Sequence, residues 1–103
     1  MIDLEKREEV IALYDIYSEL LTEKQKMYFE EYYYCDMTLQ EIAQEHEISR
    51  NAVFDQIKKT ISLCEKYENS LHVLSNQRIL ENALNIDNIN DIKNIIKTIV
   101  KEW

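Results

Sequence analysis

The chain has 103 residues, neither glycine nor proline, two cysteines and a formal net charge of −8. That length allows one domain with a modest core and leaves no room for an enzyme cleft between separate lobes. Without glycine there are no phosphate-cradling loops, which need close backbone approach, and without either turn former a strand-rich fold is disfavoured. High Leu, Ile, Glu, Lys and Gln content favours an all-α domain instead. We expect a single helical domain over 1–103, with a core over 22–67 and a helical extension over 68–103.

The first predicted helix covers 3–21. Val10, Leu13, Tyr14, Tyr17, Leu20 and Leu21 form its apolar stripe, and Asp3, Glu5, Glu8 and Glu9 sit near the N-terminus, where the helix dipole favours them. Thr22 caps a second helix reaching about Tyr34, with Gln25 at the third position. Its phenol-rich run is expected to bury Tyr28, Phe29 and Tyr32 and to leave Tyr33 or Tyr34 at the surface. A base-stacking platform is the alternative use of such rings. Consecutive tyrosines fan around a helix at about 100° each, which argues against it.

The stretch 38–59, TLQEIAQEHEISRNAVFDQIKK, carries the organising pattern. Thr38 is an N-cap with Glu41 completing a capping box and Met37 placed to staple against Ile42. Ser49 caps again, with Ile48 placed against Val53. Leu39, Ile42, Ala43, Ile48, Val53 and Ile57 fall on inward faces. Cap, short helix, turn and second cap make a helix-turn-helix. Its turn needs a left-handed residue before Ile48, usually glycine; Glu47 stands there at a cost of about 1 kcal/mol.

From Arg50 the apolar positions Ile57, Ile61, Cys64, Leu71 and Leu74 continue one long helix, with a break expected near Ser75-Asn76. A helix that outruns its domain must bury its far half against the C-terminal segment or a second copy of the chain. A short helix over 77–84 and a loop at 85–88 follow, and Asp87 or Asn88 caps the last helix. There Ile89, Ile92, Ile96, Ile99 and Trp103 form a wide apolar face that Ile95 and Val100 broaden. Lys93, Lys97 and Lys101 make a basic stripe. It reads as a solvated face suited to a helix C-terminus, or else as a contact to phosphate or to the acidic helices of a second protomer. The apolar face points to a homodimer.

No apolar run approaches the roughly 20 residues that span a bilayer, and the first ten residues are too charged for a signal peptide. A cytoplasmic protein without membrane contact is expected. Cys35 and Cys64 read as small apolar side chains, and His46 and His72 as solvated helix or turn residues. With no nucleophile beside a histidine, no shifted acid/base pair and no metal-ligand set, we expect no enzyme, cofactor, metal or small-molecule substrate.

The run from Leu13 through Tyr67 resembles the YlxM family of small bacterial helix-turn-helix proteins. The pieces that carry the likeness are YDIY, LLTEKQ, the tyrosine-rich second helix, TLQEIAQE, SRNAVFDQIKKT and CEKYENSLH. The half around the motif is also similar to the promoter-reading fourth region of sigma factors, without a wing. The resemblance implies a cytoplasmic regulator, often dimeric, linked to the signal recognition particle pathway. Ser49, Arg50, Ala52, Val53, Asp55, Ile57 and Lys58 match the family's recognition-helix pattern. Lys59 departs from it, since arginine is usual there and its bidentate fork is lost.

The second helix of the motif is the site candidate. The segment 49–67 carries four cations against two carboxylates, whereas every other part of the chain is net negative. Ala52, Val53 and Ile57 must face inward, so Ser49, Arg50, Asn51, Phe54, Lys58 and Lys59 form the expected nucleic-acid-binding set. Arg50 and Asn51 suit phosphate or base edges. Asp55 opposes phosphate, and an exposed Phe54 suits an unstacked RNA base or a protein groove. Duplex binders make about 6 to 10 phosphate contacts. Arg50, Lys58 and Lys59 supply three per protomer and Lys24 and Lys26 could add two, so a dimer just reaches that range, against a strongly negative overall field. The resemblance makes signal recognition particle RNA or its GTPase protein the expected partner, with transcriptional regulation through DNA as the alternative.

Overall fold

The computed structural model describes residues 6–103. Among them the chain is all-α: α1 (Arg7–Tyr17), a 3-10 turn (Ser18–Leu20), α2 (Glu23–Tyr33), α3 (Leu39–His46), α4 (Arg50–Leu71), α5 (Val73–Ala83) and α6 (Ile89–Glu102). Two compact units divide it, the first ending at Lys66 and the second running Tyr67–Trp103. No described helix is long and apolar enough to cross a membrane.

The core of the first unit holds Val10, Leu13, Tyr14, Tyr17, Leu21, Tyr28, Phe29, Tyr33, Ile42, Ala43, Val53, Ile57 and Cys64. Each large side chain removed from water in this way contributes about 1.5–3 kcal/mol. Tyr14 stacks on Phe29 with ring centroids 3.9 Å apart and planes within 8°. Its hydroxyl donates to Glu30 Oε2 at 2.6 Å, so the buried phenol keeps a partner. Burial and that carboxylate together push the Tyr14 pKa well above its ordinary value. Thr60, fully buried on α4, donates to the Gln56 carbonyl at 2.8 Å, which satisfies its hydroxyl within the helix.

The elements depart from expectation in three places. The expected first helix ends early: a 3-10 turn follows Tyr17 and turns Leu20 out to solvent. Its expected start, with Asp3 and Glu5, lies outside the described residues. On α2 the inward rings are Tyr28, Phe29 and Tyr33, whereas Tyr32 is half-buried and Tyr34 exposed. Tyr33 follows Phe29 by four residues and shares its face, with centroids 4.5 Å apart. The long helix stops at Leu71, because His72 turns left-handed (φ 55°) before Ser75-Asn76 is reached.

In the second unit Glu68 accepts from the Leu74 and Ser75 backbone N–H groups at 3.0 Å each, capping α5 in place of His72. Asn88 caps α6 through the Asn90 and Asp91 N–H groups. Trp103 Nε1 donates to the Leu71 carbonyl at 2.8 Å. Leu74, Ala83 and Ile99 are buried, yet Leu84, Val100, Ile89 and Trp103 remain 84, 74, 64 and 61% exposed.

Candidate functional site

Local hydrogen bonds fix the helix-turn-helix. Thr38 Oγ1 accepts from the Glu41 N–H at 3.1 Å, and the Glu41 carboxylate accepts from the Thr38 N–H at 2.9 Å. Those bonds, to the Thr38 backbone first, hold the Glu41 carboxyl below its ordinary pKa. At the far end of α3, Glu47 is left-handed (φ 55°, ψ 42°). The Ile48 N–H reaches the Ala43 carbonyl at 3.0 Å and the Glu47 N–H reaches Gln44 at 3.4 Å, the pairing of a Schellman ending. Ser49 Oγ then accepts from the Ala52 N–H at 3.0 Å and starts α4.

A cleft of about 710 Å³ lies where the N-terminal turns of α3 and α4 meet the start of α1 and the end of α2. Arg50, Asn51 and Phe54 line it from α4, joined by Arg7, Tyr32 and Gln40. Arg50 and Asn51 are exposed, and neither side chain has a partner among the described residues. Arg7 is held: its guanidinium donates to the Tyr33 carbonyl and lies 5.3 Å from the Tyr33 ring centroid. Its second tie is a 3.8 Å ion pair to Asp36, a left-handed residue (φ 55°) on the same cleft.

The six expected site residues therefore fall into three groups. Arg50, Asn51 and Phe54 come together on the cleft. Lys58 and Lys59 are exposed further along α4 and do not line it. Ser49 accepts from the Ala52 N–H with its hydroxyl oxygen as the cap of α4 and does not line the cleft. Asp55 is exposed, and Lys26 pairs with Glu23 at 3.2 Å while Lys24 stays exposed. Arg7, Tyr32 and Gln40 were not legible as site residues. Arg7 stands 43 residues before Arg50 in the sequence, and no short-range pattern links them.

The histidine at the end of α3 is not solvated as expected. His46 Nε2 lies 2.8 Å from Glu31 Oε1 and 3.1 Å from Oε2, and its ring meets Tyr28 edge-on at 5.2 Å. Glu45 brings a third ligand-type atom, all three lying within 4.8 Å of one another. The His46–Glu31 bond ties α3 to α2. Cys64 is buried, which pushes its thiol up to about 11, and Cys35 is exposed.

Capped α3, left-handed turn and capped α4 define a helix-turn-helix protein. The chain belongs to the UPF0122 family of helix-turn-helix proteins, YlxM / p13 like, whose profile matches residues 4–102. A UPF0122 protein of Mycoplasma mycoides is 45% identical over 98 residues, covering 93% of this chain and 87% of its own. One from Pediococcus pentosaceus is 47% identical over 74 residues, 72% of this chain and 66% of its own length. A Streptococcus suis relative is 48% identical over 73 residues, 71% of this chain and 65% of its own. The matched region thus spans slightly less than two thirds of some relatives.

Proposed function

We propose that the protein is a cytoplasmic, non-catalytic regulator in the signal recognition particle pathway that binds the particle's RNA through the N-terminal turns of α4. The observation that carries this reading is the cleft itself, where two guanidinium groups and two aromatic rings converge in front of a helix-turn-helix. Single-stranded and looped RNA is recognised by such arginine and aromatic combinations, whereas duplex DNA needs rows of phosphate contacts. Arg50, Lys58 and Lys59 give a homodimer six cations, the low end of what a duplex needs, against a chain of net charge −8, and exposed Asp55 adds repulsion. The family resemblance supplies the pathway.

The same proposal includes a homodimer. An apolar groove of about 550 Å³ between α5 and α6 is lined by Leu80, Leu84, Ile92, Ile96 and Trp103. Exposed apolar surface of this extent favours association. Sedimentation should give a dimer at tens of micromolar, and Val100→Glu should shift it to monomer.

The test is a titration of signal recognition particle RNA, its GTPase protein and random duplex DNA across a salt series. RNA is expected to bind tightest, with Arg50→Ala plus Lys58→Ala abolishing binding while the helical circular dichroism stays unchanged. Tighter binding of duplex DNA would return the motif to transcriptional regulation. Capture of the GTPase without RNA binding would overturn the RNA reading.

A further inference from the structure

The cleft differs in kind from the rest of the chain's surface. Its apolar lining is Tyr32, Met37, Leu39 and Phe54, and none of these four is fully buried. Two side-chain amides, Gln40 and Asn51, stand on the same cleft, and each offers both a donor and an acceptor. Arg50 is unpartnered among the described residues, while Arg7 is pre-positioned by the Tyr33 carbonyl. Small-ligand clefts usually enclose about 300–1,000 Å³, and this one, at about 710 Å³, falls within that range.

Each feature answers one part of a nucleotide. A base presents an apolar ring face and an edge that both donates and accepts, which rings and carboxamides match. A phosphate presents oxygens that a guanidinium grips bidentately. A base inside a duplex has both faces covered by its neighbours, so it cannot enter. We propose that the cleft takes a single unpaired nucleotide of an RNA strand, its base against Phe54 and Tyr32, its edge read by Gln40 and Asn51, and its phosphate on Arg50. This rests on the RNA-binding reading above and adds that one extruded base is what the site selects. Asp36, at the same cleft, presents a like charge to phosphate.

The experiment compares two RNA hairpins that differ only by one bulged nucleotide, with the full chain at fixed salt. The bulged hairpin should bind roughly tenfold tighter, the effect of one stacked base. Phe54→Leu, which keeps apolar volume without a ring, should remove that difference, and Phe54→Trp should keep it. Lys59→Ala should weaken both hairpins equally, because Lys59 lies off the cleft. Equal affinity of wild type for the two hairpins, or full discrimination by a folded Phe54→Leu, overturns the nucleotide site and leaves RNA binding standing. No binding of either hairpin or of the particle RNA overturns the RNA reading and the nucleotide site with it. As a second measurement on unmodified protein, 4-thiouridine at the bulge should crosslink to the Tyr32 or Phe54 peptide. Crosslinks confined to the peptide holding Lys93, Lys97 and Lys101 would overturn the proposal.

Discussion

Arg7 Nη2 stands 3.8 Å from Asp36 Oδ1, so a residue from the start of α1 and one from the α2–α3 connection face each other on the cleft. Asp36 is largely exposed, and an exposed pair at this distance is worth roughly 0–1 kcal/mol. A bound phosphate can therefore compete with Asp36 for Arg7 at little cost. Asp36→Asn is expected to raise RNA affinity several-fold by removing a like charge, while asparagine tolerates the left-handed backbone. Arg7→Ala is expected to lower affinity. Filter binding at two salt concentrations checks both. Unchanged affinity in both variants would detach Arg7 and Asp36 from the interface.

The turn itself carries strain that a single substitution relieves. Glu47 has φ 55° and ψ 42°, a conformation that glycine adopts without a Cβ clash. Glu47→Gly should stabilise the chain by about 0.5–1 kcal/mol, read as a rise in the thermal midpoint. A fall in the midpoint would mean that the Glu47 side chain makes a stabilising interaction.

Two buried tyrosines should respond oppositely to loss of their hydroxyls. Tyr14 donates to Glu30, so Tyr14→Phe leaves a half-buried carboxylate without that donor and should cost about 1–2 kcal/mol. The Tyr33 hydroxyl is buried without a hydrogen-bond partner among the described residues. Tyr33→Phe should therefore be neutral or stabilising by up to about 1 kcal/mol. Urea denaturation of the two variants separates the cases.

That contrast also marks where sequence reasoning reaches its limit. Thr22, Thr38 and Ser49 were legible as caps because capping is settled within three residues, and each makes the expected bond. The choice between Tyr32 and Tyr33 was not, since neighbouring rings differ by one step of about 100° and only the partner surface decides. The His46–Glu31 bond and the place of Arg7 on the cleft depend on contacts between helices, which no local spacing encodes. The end of α4 at His72 was equally hidden, because the chain has no glycine or proline to mark it.

Alkaline pH should unfold the first unit. Burial raises Tyr33 to about 12, from 10.0, and Cys64 to about 11, from 9.0; Tyr14 moves the same way. The folded chain then holds protons that the unfolded chain releases, so stability falls as pH rises. This contribution is complete below about pH 9 and is lost as pH climbs through 11 and 12. A midpoint of urea unfolding that stays flat from pH 8 to about 11 would contradict it.

In the proposed complex RNA contacts the N-terminal turns of α4. Amide resonances of labelled protein, followed while signal recognition particle RNA is added, test it most directly. The largest shifts are expected at Arg50, Asn51 and Phe54, with smaller ones at Arg7 and Gln40. Shifts confined to the segment around Lys93, Lys97 and Lys101, with the α4 N-terminus silent, would contradict it.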